Sequence, residues 1–287
     1  MTGNLPGASR QWDPLYSQID GMYEYKESGL LCLPCMTEPL MDQMFNDFKF
    51  RDGDILIASY PQSGFLWVQE ALWHAHNMDT LAVPIKDKSP LCIRLPFLEH
   101  EFRNVEPMSL LKDMESPRIM KTHLEYKHLQ KQMEGFEDKI KIILWVQDPR
   151  KVLKNYHKFW SVCGAGFGFP LVSWEKFFQL FKDKQLFEGD WFEMNRSWID
   201  TFSARGNLLV LTYEDVVNDL DGTVQKLAEF TDVPDWDKKL FKLQKCTYMQ
   251  PYDKKPDTEG YTEEQLQIVK DMINAKMGGT GLDKLYG

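Results

Sequence analysis

The 287-residue chain has little of what would direct it to a membrane, a secretory route or a nucleic acid. It contains no run of about 18 apolar residues, so no membrane-spanning helix is expected. Its first residues, Met1-Thr-Gly-Asn-Leu-Pro-Gly7, carry neither a basic segment nor an apolar one, so no signal peptide is expected. Basic residues are the minority, 34 against 43 acidic, giving a net charge of −9. That balance argues against nucleic acid or an anionic membrane surface as the main partner. The five cysteines (Cys32, Cys35, Cys92, Cys163, Cys246) are odd in number and scattered, which fits a reducing cytosol rather than a disulfide framework. Cys32-Leu-Pro-Cys35 is a C-x-x-C, but no strong strand precedes it and no second pair accompanies it. Neither a redox centre nor a zinc site is expected there. The histidines show no metal-ligand spacing with carboxylates, and His74 and His76, two apart on a helix, cannot share a face. No metal is expected, and there are no internal repeats.

What is present is an ordinary globular composition, 43% hydrophobic and 13% aromatic, on a chain long enough for a sizeable core. The most informative stretch is Ile55-Leu-Ile-Ala-Ser-Tyr-Pro-Gln-Ser-Gly-Phe-Leu-Trp67. Residues 55–58 form an apolar run suited to a central parallel strand. Pro61, Ser63 and Gly64 mark a turn, and from Phe65 to His76 the apolar spacing is helical. A strand feeding a helix through such a turn presents free backbone N–H groups and a positive dipole end, a P-loop-like phosphate cradle. The position where such loops usually carry Lys is Gln62, and no G-x-x-x-x-G-K-[ST] exists, which argues against a P-loop kinase.

Further strands are expected at Arg118-Ile-Met-Lys-Thr-His123, Lys141-Ile-Ile-Leu-Trp-Val146 and Asn207-Leu-Leu-Val-Leu-Thr-Tyr213. Helices are expected at 36–48, from Pro149 to about Trp160, and at 174–186, 190–205, 215–231, 237–245 and 262–277, with loops over 80–107. Strands alternating with helices predict an α/β fold, a single domain over 1–287 with a mainly parallel central sheet flanked by helices and a peripheral segment at 1–35. Ligands of such sheets lie at the carboxyl ends of the strands. Four segments would therefore converge on one crevice: Ser59–Gly64, Lys121–His123, Gln147-Asp148 and Thr212–Glu214. The loop Cys163-Gly-Ala-Gly-Phe-Gly-Phe-Pro170 is the best candidate for an apolar wall.

In this order, the segments resemble the cytosolic sulfotransferases. Tyr60-Pro-Gln-Ser-Gly-Phe-Leu-Trp67 is similar to that family's Y-P-K-S-G-T-T-W loop, and Pro117-Arg-Ile-Met-Lys-Thr-His-Leu124 to its P-R-x-x-K-T-H-L. Ile142-Ile-Leu-Trp-Val-Gln-Asp-Pro-Arg-Lys-Val-Leu-Lys-Asn-Tyr156 resembles V-x-Y-V-x-R-N-x-K-D-x-x-x-S-Y. Leu211-Thr-Tyr-Glu-Asp215 and the tail Ala275-Lys-Met-Gly-Gly-Thr-Gly-Leu282 match as well, so the resemblance spans about residues 35–285. It implies sulfonate transfer from 3′-phosphoadenosine 5′-phosphosulfate (PAPS, leaving PAP) to a hydroxyl or amine of a small apolar acceptor. By the same resemblance His123 is the general base and Lys121 the electrostatic catalyst. The donor site implied comprises Gln62, Ser63, Gly64, Phe65, Leu66, Trp67, Gln147, Asn155, Tyr213, Tyr248, Lys254 and Lys255, with Trp67 and Tyr248 about the adenine. A cytoplasmic location follows from the resemblance too.

Several donor positions depart from the family pattern. Gln62 stands for a Lys, Gln147 for an Arg, Asn155 for a Ser, and Phe65 and Leu66 for two threonines. A charge-assisted hydrogen bond contributes roughly 1.5–3 kcal/mol. Losing two cations thus predicts a cost of about 3–6 kcal/mol, or two to four decades of donor affinity. Arg150, Lys151, Lys154, Lys254 and Lys255 offer replacement charge from new directions. The family's R-K-G survives at best as Lys254-Lys-Pro256, in a shortened loop. Of its dimer motif K-x-x-x-T-V-x-x-x-E only Thr262 is retained, so a monomer or a different dimer is expected. Two further readings stay open: a non-catalytic small-molecule-binding protein on this fold with PAPS binding weakened or lost, and an enzyme using a donor without the 3′-phosphate.

Overall fold

The computed structural model describes residues 11–77, 89–102, 105–237 and 258–287. Its centre is a four-stranded parallel sheet in the order β4-β3-β5-β6. The strands are β3 (Ile55–Ser59), β4 (Ile119–Thr122), β5 (Lys141–Val146) and β6 (Leu208–Thr212). A small antiparallel hairpin, β1 (Tyr23–Tyr25) and β2 (Leu30–Cys32), precedes them. Every residue of β3 and β4 is buried, as expected of strands covered on both faces.

The period of two divides the sheet between two cores. Leu56, Ala58, Met120, Ile142 and Leu144 face a large aromatic core that includes Tyr156, Trp160, Phe177 and Trp198. Ile55, Ile57, Ile119, Ile143 and Trp145 face a second core with Trp67, Val68, Ala71 and Leu72 of the helix Leu66–Asn77. Tyr16, Tyr25, Leu31 and Cys32 belong to the first core. Tyr16 also donates its hydroxyl to the Gln185 carbonyl at 2.5 Å.

The helices begin where the capping chemistry places them. Asp148 caps Pro149–Cys163, accepting from the Arg150 amide at 2.8 Å with Pro149 in the first turn. This helix runs one turn past Trp160, to Gly164 at its C-cap. Thr262 caps Glu263–Lys276 through a reciprocal capping box with Gln265, so its side chain is engaged locally. The helix expected at 215–231 is two helices, Tyr213–Asn218 and Leu220–Phe230. Asp219 divides them, because it leaves helical geometry (φ −148°) and caps the second by accepting from the Gly222 amide. The helix expected at 237–245 lies, apart from its first residue, outside the described residues. Helices at Pro107–Asp113, Tyr126–Met133 and Leu282–Tyr286 were not expected. Each has eight residues or fewer, too short for periodicity to declare itself.

The amino ends of β3 and β4 are locked by a buried ion pair. Arg118 Nε donates to Asp54 Oδ1 at 2.9 Å and Nη2 to Asp54 Oδ2 at 2.5 Å, with both side chains excluded from solvent. Arg118 also reaches the Leu111 and Lys49 carbonyls. The register that follows, Ile55 opposite Ile119 through Ala58 opposite Thr122, delivers Ser59 and His123 to the same edge of the sheet.

Candidate active site

All four expected segments leave the sheet at its carboxyl edge, since Ala58 pairs with Thr122, Ser59 with Trp145 and Val146 with Thr212. Beside that edge lies a cavity of about 470 Å³. Its apolar lining includes Phe65, Phe97, Phe159, Phe169 and Phe187, and Lys121 and His123 open into it. The loop 163–170 thus contributes Phe169 to the wall. Phe97, from a stretch with no strand or helix pattern, was missed.

His123 is buried, and its Nδ1 lies 2.6 Å from the Ser59 carbonyl oxygen. That acceptor fixes the tautomer: Nδ1–H donates, and Nε2 keeps its lone pair. Burial pushes the imidazole pKa down to about 4, more than the Ser59 bond raises it, so the ring is neutral at physiological pH. Phe65 and Phe97 pack against the ring, each with centroids 4.9 Å away. Lys121 is buried as well; its Nζ donates to Gln69 Oε1 at 2.6 Å and sits 4.4 Å from the Phe97 ring centre. Burial pushes its pKa down to about 8.

Glu99 holds His123 in place, and the sequence reading missed it. Residues 96–98 run beside β4, with the Leu98 amide donating to the Lys121 carbonyl and the Lys121 amide to the Pro96 carbonyl. Glu99 then accepts from the His123 amide at 2.6 Å and from the Thr122 hydroxyl at 3.0 Å. Burial pushes its carboxyl pKa up to about 7 despite those bonds. Only the tertiary pairing of a Pro-rich stretch with β4 discloses this role.

The phosphate-loop candidates also converge. Gln62 and Gly64 both have left-handed backbone, with φ of 61° and 72°. A Cβ on Gly64 would lie 3.3 Å from the Tyr213 ring and 3.9 Å from Gln147 Nε2, so this turn requires glycine for both conformation and space. Asn155 Nδ2 lies 3.3 Å from the Gln62 carbonyl and 3.5 Å from Gln147 Oε1. The Ser63 hydroxyl is turned inward, donating to the Tyr60 carbonyl at 2.6 Å. Trp67 is buried and stacks on Trp145 at 5.8 Å. Phe65 turns to the cavity, whereas Leu66 is 64% exposed at its rim. Tyr248, Lys254 and Lys255 lie outside the described residues. Arg150 is not available as a replacement cation: its guanidinium is paired with Asp148 and bound to the Tyr286 carbonyl. Lys151 and Lys154 lie over the rings of Tyr213 and Trp174 at 4.8 and 4.4 Å.

Cys32, Cys35, Cys92 and Cys163 are free thiols, and burial pushes the first two up to about 11 and 12, far from reactive thiolates. Among the described residues no cluster could hold a metal ion, and no helix is long and apolar enough to cross a membrane.

A parallel sheet whose first strand, glycine turn and helix lie beside a histidine-lysine strand end has the arrangement of a phosphate-loop fold. The family model for the sulfotransferase domain matches residues 52–281, and the chain belongs to the sulfotransferase family. It is 30% identical to sulfotransferase 2A1 of Homo sapiens over 189 residues, covering 64% of this chain and 61% of that protein. It is 29% identical to sulfotransferase 1E1 of Bos taurus over 245 residues, 84% of this chain and 80% of that one. The match thus spans about three fifths of the human relative's length. Among solved structures, mouse sulfotransferase SULT7A1 complexed with PAP superposes with a TM-score of 0.70 at 18% identity, covering 92% of this chain and 97% of that one. Retinol dehydratase complexed with retinol and PAP superposes with a TM-score of 0.65 at 17% identity, with 88% of each chain covered. At such identities these structures speak for the fold.

Proposed function

We propose that the protein transfers a sulfonate group from PAPS to a hydroxyl or amine of a small, largely apolar acceptor bound in the 470 Å³ cavity. The observation that carries this reading is the placement of a neutral, singly tautomeric His123 and a buried Lys121 on the wall of one aromatic cavity. When bound, PAPS would supply an electrophilic sulfonate on a nucleotide leaving group. His123 Nε2 would accept the proton of the acceptor hydroxyl. Lys121 would supply positive charge beside the leaving group. The amides that open the helix at Leu66 have no intrahelical acceptors and suit a phosphate.

The residues present fit such a group. The space over Gly64 is bounded by Tyr213 and Gln147, and Asn155 adjoins both Gln147 and Gln62. Gln62, Gln147 and Asn155 would hold phosphate oxygens with neutral amides. Ser63 would contribute its backbone, its hydroxyl being engaged. Trp67 and Tyr213, joined by Tyr248, Lys254 and Lys255, would contact the nucleotide. We read the whole chain as one domain acting in the cytosol, a compartment that the free thiols suit.

Calorimetric titration with PAP, alongside ADP as the control lacking a 3′-phosphate, tests the donor assignment. PAP is expected to bind in the micromolar range or tighter, well ahead of ADP. Absence of binding by both would overturn the transferase reading and leave a small-molecule-binding cavity. Equal binding would point to a donor without the 3′-phosphate.

The buried Lys121 sets the pH dependence. Transfer needs the ammonium form, so kcat/KM should stay level near neutrality and fall as pH rises through about 8. His123 is needed neutral and protonates only near pH 4, so the acid limb lies far below. Lys121→Arg keeps its charge to above about pH 12 and should abolish the alkaline fall, at a reduced plateau rate. An unchanged alkaline limb in that variant would assign it to another group.

A further inference from the structure

One polar pair in the cavity has no part in the proposed sulfonate transfer. His100 and Glu188 both line the cavity, with His100 Nε2 3.8 Å from Glu188 Oε1. That is too long for a hydrogen bond. The His100 side chain is 15% exposed and that of Glu188 7%. Among the described residues His100 Nε2 has no hydrogen-bond partner, and the Glu188 carboxyl makes no hydrogen bond. The pair lies close to the reaction centre, since the His100 and His123 rings are 5.9 Å apart and both pack on Phe97.

Buried polar groups without partners are costly, and a cavity that keeps two of them in a largely apolar wall fits a ligand that completes them. Both groups are uncharged at neutral pH. Burial pushes His100 down to about 3 and Glu188 up to about 8, and Lys121 adds to the first effect and Glu99 to the second. A neutral imidazole beside a neutral carboxyl offers one donor and one acceptor to a third group between them. A hydroxyl matches that set, because it donates once and accepts as well. An ammonium carries no acceptor, so it cannot match a donor and an acceptor together, and it would lie in the same cavity as the cationic Lys121.

We propose that His100 and Glu188 form a specificity subsite that reads a second hydroxyl on the acceptor, a few ångströms from the one that reacts. The proposal rests on reading this cavity as the acceptor site. The acceptor class it selects is the diol, with one oxygen at His123 and the other between His100 and Glu188.

The test measures dissociation constants on the full chain for phenols differing in one group. The three benzenediols and three hydroxybenzyl alcohols are compared with the matching cresols and ethylphenols. At least one dihydroxy compound is expected to bind about tenfold tighter than its alkyl match. Glu188→Leu and, separately, His100→Phe should each cut that advantage to below about threefold, while binding of the alkyl match is kept within about threefold and shows that the cavity is intact. The proposal falls if no dihydroxy compound outbinds its alkyl match, including the case in which none binds. It also falls if the advantage survives both substitutions. PAP titrated into the same preparation separates the two ideas. PAP bound without discrimination among the phenols sinks the subsite alone. Discrimination without PAP binding sinks the transfer reading and leaves the subsite standing.

Discussion

Replacing His123 by alanine is expected to lower sulfonate transfer about 10²- to 10⁴-fold, the usual contribution of a positioned general base. The fall should appear in kcat, with little change in PAP affinity, because no donor-loop side chain described here hydrogen-bonds to the imidazole. The geometry sets the size of the effect. The Ser59 carbonyl accepts from Nδ1–H, Glu99 fixes the backbone, and Phe65 and Phe97 bracket the ring, leaving Nε2 with one orientation. Initial rates with labelled PAPS over a panel of phenols and hydroxysteroids would measure it. A variant that keeps more than about a tenth of the wild-type rate would remove His123 from the role of base. His123→Gln should be no better than alanine, because an amide keeps a hydrogen bond to Ser59 and cannot accept the proton.

The second large effect concerns stability. Arg118→Met should cost about 3–5 kcal/mol, measured by urea unfolding, because it strands the Asp54 carboxylate in the interior with only the Arg51 amide to satisfy it. The double variant Asp54→Leu with Arg118→Met should recover much of that loss, since replacing both charges by apolar groups removes the desolvation penalty. A single-variant cost below about 1 kcal/mol would show that the pair is dispensable to the register of β3 and β4. Retained stability with lost transfer would show instead that the pair acts by aligning Ser59 with His123.

The sequence alone specifies the central sheet. Residues 55–58, 142–146 and 208–211 are apolar runs without interruption, and such a run bounded by turn signals suits a central parallel strand. It determined the caps as well, because Asp148-Pro149 and Thr262 act on the amides next to them. The residues expected at the sheet edge, Ser63, Gly64, His123, Gln147 and Tyr213, were legible because strand order alone brings the carboxyl ends together. Which charges are free is set by side-chain contacts in the folded chain. Arg150 looked available for a phosphate, yet Asp148, two residues away, turns back and holds it, a matter of side-chain geometry that composition does not carry. Glu99 and the pair His100 and Glu188 were invisible for a related reason. They lie in loops without periodicity, and their chemistry arises from burial and from partners up to 88 residues distant, as in the contact of His100 with Glu188. Periodicity reports which face of an element is covered. It does not report which polar group will be left in that cover without a partner, and in this protein those groups shape the cavity's chemistry.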